Sequence, residues 1–352
     1  MDDIQAMLTD SVERAFSTEI TPALIDATEQ GNWPHALWSL IESQGLDTAL
    51  DSEDSGGLEL DWDSVFPLSF LAGKYAAPIP LPETLIGSWL LRQAGCARPA
   101  GPLTIAQLDT TQCRPLKGQH YQITGEIPEI PWAQWVDHIV LSADIEEQPH
   151  IALIETAQLP LTQSQNIARE SRSSSSLRAP LTVEMLPLRD APKQAVTYLG
   201  AMNRSAQMAG AAARVLEFSV RYASERSQFG RPLNRFQVIQ QYLAVLASES
   251  AALNVAARNA FFQFEKQPYM STAAAKIRCS RAAGEISSLG HAIHGAIGFT
   301  YEHQMQYYTR RLWAWRSEFG NHRWWAEKLG QATVAQPAEQ WWAHVTAQDL
   351  AL

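Results

Sequence analysis

The sequence predicts an α+β multidomain protein: an N-terminal helical domain over residues 1–102, a small central β-domain of barrel or sandwich type over 103–190, and a C-terminal four-helix bundle over 191–352. Three observations predict it. Apolar residues recur at helical spacing at both ends of the chain, short β-branched runs fill the middle, and breaker-rich segments separate the zones. With 352 residues, 46% of them hydrophobic, there is apolar material for more than one packed unit.

In the first zone Val12, Ala15 and Phe16 recur at helical spacing, and SWLLRQAG (88–95) ends in a glycine placed to stop a helix. Pro99 to Pro102 mark the boundary. The central zone carries LTIAQL, HYQITG, DHIVLSA, HIALIE and APLTVEML, each short enough for a strand. EIPEIP and RESRSSSS separate them, and the serine run predicts a flexible loop at 168–176. In the third zone Met208, Ala212, Leu216, Val220 and Ala223 form one predicted stripe, and Ile239, Leu243, Leu246 and Leu253 a second. Gly230 and Pro232 punctuate the link between them, and HGAIGFT splits two further helices at 268–292 and 301–318 before a Trp-rich tail.

Charge and cysteine usage exclude several classes of function. The 27 basic and 37 acidic residues give a net charge of -10, which argues against a protein that grips nucleic-acid phosphates along its length. The balance is uneven: residues 191–330 carry +9 and the remainder -19. An anionic ligand is drawn to the basic segment, or a basic face docks on the acidic part of the same chain, and composition leaves both open. Cys96, Cys113 and Cys279 are odd in number and lack CxxC spacing, so neither a disulfide framework nor a metal site is expected. The start is acidic and amphipathic, and no apolar run reaches bilayer length. A cytoplasmic protein without membrane or nucleic-acid partners is expected.

The chemistry is carried by two segments. YASERSQFGRPLNRFQVIQ (222–240) places Arg226 at a helix end, a Gly-Arg-Pro turn after it and Gln237 early in the next helix. A guanidinium there presents a fork of donors to a phosphate, and an amide adds one more. HAIHGAIGFTYEH (291–303) holds Gly295 and Gly298, which allow close approach of a ligand or simply break a helix. In this order and at this separation the two segments resemble the C-terminal domain of acyl-CoA dehydrogenases. That family carries R-x-x-F-G-[RK]-P-[IL] followed by F-Q, matched by Arg226, Phe229, Gly230, Arg231, Pro232, Leu233, Phe236 and Gln237. Downstream it carries Q-x-x-G-G-x-G-[FY]-T, matched by Gly295, Gly298, Phe299 and Thr300. The order of helical, β and bundle zones is also the family's.

The resemblance implies a flavoprotein that holds FAD between subunits. It places Arg226 and Gln228 on the FAD pyrophosphate, Phe229 beside the adenosine half and Gln237 in a further polar contact, with the stretch at Gly295 and Ala296 reaching the cofactor from a neighbouring subunit. It implies α,β-dehydrogenation of an acyl-CoA, in which a carboxylate takes the α-proton while the β-hydrogen leaves as hydride to the flavin. A tetramer and an electron-transferring flavoprotein are the implied partners.

The chain also departs from the family's pattern. Ala292 stands where many members have Gln, Ala296 replaces the second glycine, and the β-domain lacks the T-E-P and G-S-D segments. SEFGN replaces Y-E-G-T, which puts Glu318 one place earlier relative to Gly320; the alternative glutamate position falls near Gly200 and Ala201. Glu318 is the expected base, against a solvated or Arg316-paired glutamate, and Glu302 is the weaker rival. His291 and His294 read as a helix-packing pair or cofactor neighbours, and Trp313, Trp315, Trp324, Trp325, Trp341 and Trp342 as core and interface anchors or pocket walls. These departures resemble the smaller chains of heteromeric acyl-CoA dehydrogenases that act on bulky, steroid-derived CoA thioesters. Two alternatives stand beside catalysis: a non-catalytic subunit that completes a homologous chain's flavin site, and a fold reused for non-redox thioester chemistry.

Overall fold

The computed structural model describes residues 2–266 and 268–347, so the end of the third predicted zone, 348–352, lies outside the described residues. Five helices come first: α1 (Asp2–Glu19), α2 (Pro22–Glu29), α3 (His35–Ser43), α4 (Trp62–Lys74) and α5 (Leu81–Gln93). Eight strands follow, β1 (Leu103–Gln107), β2 (Cys113–Pro115), β3 (His120–Pro131), β4 (His138–Ile145), β5 (Gln148–Glu155), β6 (Leu161–Gln165), β7 (Ser171–Glu184) and β8 (Leu186–Pro187). Then come α6 (Ala195–Glu225), the two-stranded hairpin β9 (Ser227–Gln228) and β10 (Arg231–Pro232), α7 (Gln237–Gln263), α8 (Pro268–His294), α9 (Met305–Trp315), α10 (His322–Val334) and α11 (Trp341–Ala347). The chain therefore has helical N- and C-terminal regions around a β region, as predicted. No described helix is long and apolar enough to cross a membrane.

Two compact units result, one of residues 1–8, 23–68 and 78–200, the other of residues 9–22, 69–77 and 201–352. In the first, two four-stranded sheets run in the orders β1-β4-β5-β8 and β2-β3-β7-β6. Their core follows the period-two pattern on β4 (Ile139, Leu141, Ala143) and β5 (Ala152, Ile154), which meet Ile123, Ile127 and Ile130 of β3, the last returned to the core face by a register shift between Ile127 and Ile130. The opposite face of β4 is also buried, because α5 lies on it; a Cβ at Gly87 would stand 3.1 Å from Leu103 and 3.5 Å from Val140.

The serine-rich segment is not the expected loop. It is β7, hydrogen-bonded to β3 on one side and β6 on the other. Ser171, Ser173, Ser175 and Leu177 point inward, and Ser174, Ser176 and Arg178 are exposed. A period of two is present, but because both faces carry serine, hydropathy does not reveal it.

In the second unit α6 to α9 form the predicted bundle, with α10 packed on α8. On α6 the buried stripe is Met208, Ala212, Val215, Ser219 and Ala223. Leu216 is half-buried and Val220 is exposed, contrary to the predicted stripe. Steps of four residues turn the helix 40° too far each time, so a stripe followed as 208, 212, 216, 220 drifts off the core face. On α7 the buried positions are Leu246, Leu253, Ala257 and Phe261, while Ile239 and Leu243 are half-buried.

Candidate functional site

Arg226 follows the last residue of α6, and the chain reverses at once through the β9–β10 hairpin, where Arg231 pairs with Gln228. The two loop residues, Phe229 (φ 51°) and Gly230 (φ 78°), are both left-handed, as a type I′ turn demands. Glycine accepts that conformation freely, and phenylalanine does so at a cost. Phe229 is also 91% exposed. Its ring lies 6.3 Å from that of Phe236, over which Arg231 sits at 4.1 Å. The Leu233 N–H donates to the Arg226 carbonyl at 2.8 Å and closes the loop. Arg226, Gln228 and Gln237 are exposed, and among the described residues Arg226 forms no ion pair with Glu225.

The second motif ends α8. Gly295 is left-handed (φ 63°) with nothing within 4 Å of a Cβ, and Ala296 beside it is exposed. Gly298 has a packing role: a Cβ there would stand 3.0 Å from His294 Cβ and 3.2 Å from His291 Nδ1. His291 and His294 do not pair with each other. His294 donates from Nδ1 to the Gly290 carbonyl at 2.8 Å and stacks on Tyr222 at 4.6 Å, whereas His291 stacks on Phe299 at 4.0 Å and meets the Thr309 hydroxyl at 3.1 Å. His303 lies 4.7 Å from His294 and accepts the Met305 N–H at Nδ1. Burial pushes His294 down to about 4 and lowers His291 and His303, so neutral rings fill this corner at neutral pH.

Glu318 lies in the turn between α9 and α10. Its Oε2 accepts from Arg204 Nε at 2.7 Å, not from Arg316, whose guanidinium lies over Trp313 at 4.6 Å. Arg204, on α6, is buried; it also donates to Gln207 and stands 5.8 Å from the Trp315 ring and 5.6 Å from that of Phe319. Lys276 of α8 is fully buried and donates from Nζ to the Trp315 carbonyl at 2.7 Å. Burial lowers its amine to about 7, although Glu318 opposes the shift. The turn itself is pinned by Trp325 Nε1, which donates to the Phe319 carbonyl at 2.9 Å, and by Asn321, which caps α10. Gly320 is left-handed with Trp324 and Trp325 2.8 Å from a would-be Cβ, so no other residue fits. Among the tryptophans, Trp315 and Trp325 are core, Trp313 and Trp342 are exposed, and Trp324 and Trp341 are intermediate. Glu302 is exposed.

The family described as "Acyl-CoA dehydrogenase, C-terminal domain" matches residues 194–322, the span that carries both motifs and Glu318. This segment is similar to the acyl-CoA dehydrogenase C-terminal domain. Over a longer span the chain is similar to acyl-CoA dehydrogenase IpdE2 of Mycobacterium tuberculosis, with 25% identity across 87% of this chain and 89% of that one. Two solved structures are similar throughout: a Tcur3481-Tcur3483 steroid ACAD variant (TM-score 0.84, 21% identity, 94% of this chain and 97% of that one), and the ChsE4-ChsE5 complex of M. tuberculosis (TM-score 0.83, 20% identity, 95% and 98%). The fold is thus that of the acyl-CoA dehydrogenases. Within that domain, sequence motifs missed Arg204 and Lys276. A lysine set in AAAKIRCSRAAG, flanked by residues that pack helices closely, was the available signal for the second; Arg204 offered none.

Proposed function

We propose that the chain is a subunit of an FAD-dependent acyl-CoA dehydrogenase, homo- or heterotetrameric, that removes the α and β hydrogens of a bulky, steroid-derived CoA thioester. The observation that carries this reading is Phe229: a large apolar side chain held left-handed and almost wholly exposed persists when something outside the chain covers it.

The residues present fit a dinucleotide. Exposed donors on Arg226 and Gln228 suit a diphosphate, the Phe229 ring suits the adenosine half, and Gln237 at the start of α7 adds an amide. The open, side-chain-free position at Gly295, with Ala296, suits close approach by a cofactor held mainly on a neighbouring chain. Bound there, FAD would supply the acceptor for the electron pair of the departing β-hydrogen. An electron-transferring flavoprotein is the proposed redox partner.

A second reading, in which the chain completes a partner's flavin site without a base of its own, is favoured by the Arg204–Glu318 ion pair. The test is to purify the chain alone and co-expressed with a homologous acyl-CoA dehydrogenase chain. A flavin spectrum that acyl-CoA bleaches under anaerobic conditions is expected, in one preparation or both. Colourless, unreactive protein in both preparations rejects the reading.

A further inference from the structure

The hairpin after α6 and the turn after α8 are tied to each other within one chain, and a histidine makes the tie. The Arg226 N–H still donates to the Tyr222 carbonyl at 2.9 Å, so the helical turn that holds Tyr222 sets the direction in which the hairpin leaves. The Tyr222 ring lies face to face with His294, the last residue of α8, at 4.6 Å between centroids and 25° between planes. His294 stands directly before the left-handed Gly295, and the turn folds back onto it, with a would-be Cβ at Gly298 3.0 Å from His294 Cβ. One ring, only 3% exposed, thus touches the end of α6 and the turn after α8.

That ring has little freedom to yield. Nδ1 donates to the Gly290 carbonyl at 2.8 Å, and His303 closes a further side at 4.7 Å, itself edge-on to Tyr222 at 6.4 Å and to Phe218 at 5.6 Å. The ionisable groups around it are Tyr222 of α6, His291 of α8 and His303, on which Arg221 of α6 acts in turn. Burial keeps His294 neutral at neutral pH, so the stack on Tyr222 joins two uncharged rings. A close-packed, hydrogen-bonded ring passes a displacement on to its neighbours.

We propose that His294 is a positioning residue: packed between Tyr222 and the Gly298 turn, it holds the Arg226 hairpin and the Gly295 turn at a fixed separation, so that a dinucleotide meets both as one preformed surface. Preformation matters because ordering two loose loops on binding costs affinity. The use of that surface by FAD rests on the dehydrogenase reading; the coupling of the two segments does not.

The experiment reads the coupling without flavin, by nitrogen-15 NMR of the full chain labelled at glycine, with the Gly230 and Gly295 amides assigned from Gly230→Ala and Gly295→Ala. Tyr222→Leu is expected to displace the Gly295 resonance, and Tyr222→Phe, which keeps the ring, to leave it in place. His294→Ala displaces Gly230 from the other side; Tyr222 is half-buried, and its variants cover the case in which His294→Ala does not fold. A Gly295 resonance that Tyr222→Leu leaves in place, or that Tyr222→Phe moves as far, overturns the coupling. In the assembled protein the FAD dissociation constant is expected to rise roughly twofold to thirtyfold in Tyr222→Leu and to recover in Tyr222→Phe. Equal affinity in wild type and Tyr222→Leu overturns the service to the cofactor. Absence of flavin binding from every sample, with Gly295 still following Tyr222, rejects the dehydrogenase reading and upholds the coupling.

Discussion

Gly210 of α6 lies against the main chain of Phe70 on α4, so close that a Cβ would stand 1.9 Å from the Phe70 carbonyl oxygen and 2.7 Å from the Lys74 nitrogen. The contact is reciprocal: a Cβ at Gly73 of α4 would stand 2.0 Å from the Gln207 carbonyl oxygen on α6. Two helices meet here backbone to backbone, and neither glycine has a flexible neighbour that can yield. Gly210→Ala is therefore expected to cost about 3 kcal/mol or more, since the helices must part. Gly330 of α10 is the control, with nothing within 4 Å of a Cβ. Gly330→Ala is expected to raise stability by up to about 1 kcal/mol, and denaturant unfolding of both variants checks the contrast.

Lys276 makes stability depend on pH in an unusual direction. Its amine sits at about 7 in the fold against an ordinary value of 10.5, so between those limits the unfolded chain binds the proton and the folded chain does not. Stability then rises with pH from about 7 to about 10.5, and the full penalty, on the order of 5 kcal/mol, applies below about 7. Lys276→Met removes that penalty and forfeits one hydrogen bond to the Trp315 carbonyl, worth about 1 kcal/mol. The variant is expected to be more stable than wild type at pH 6–7, with the gap closing towards pH 10. Urea midpoints across that range decide it.

How far the sequence exposes this chemistry differs from residue to residue. Gly230 and Gly295 are legible because a left-handed backbone needs glycine, and the requirement is local. Phe229 is equally local, and its exposure follows from its place at the turn tip. The Arg204–Glu318 pair is not legible, because its partners are separated by 114 positions and meet only after α6 and the α9–α10 turn have packed. The sequence points instead to Arg316, two positions from Glu318, which turns away to lie over Trp313 at the notch left by Gly284. The serine-rich first half of β7 fails to show for a different reason, although its second half reads as a strand in APLTVEML. Its strand identity comes from pairing with β3 and β6, and serine carries almost no hydropathic signal of which face is buried.

The histidine corner predicts acid sensitivity. His294 is 3% exposed, and burial holds it at about 4, below the ordinary 6.5; His291, His303 and the Arg221 guanidinium of α6 surround the cluster with further positive or titratable groups. Below about 6.5 the unfolded chain takes up a proton that the fold refuses, so stability is lost as pH falls towards 4, by about 3 kcal/mol from His294. His291 and His303 add to the loss in the same direction. His294→Phe, which keeps the stack on Tyr222, is expected to flatten the thermal midpoint between pH 6.5 and 4; an unchanged slope would place the acid sensitivity elsewhere.

The hairpin separates folding from function at a single residue. Phe229 holds φ 51° with 91% of its surface exposed, so within the chain it adds backbone strain of about 1 kcal/mol and little burial. Phe229→Gly relieves the strain but loosens the unfolded chain by a comparable amount, so the thermal midpoint of the isolated chain is expected to stay within a few degrees of wild type. The same substitution removes the ring proposed to cover the adenosine half of FAD. Flavin retention after gel filtration of the assembled protein is expected to fall, and Arg226→Ala, which deletes a charge-assisted hydrogen bond worth about 1.5–3 kcal/mol, lowers it roughly tenfold to a hundredfold. Full retention in both variants would remove the hairpin from the cofactor site. Retention lost together with chain stability would instead mark Phe229 as part of the fold, which its exposure argues against.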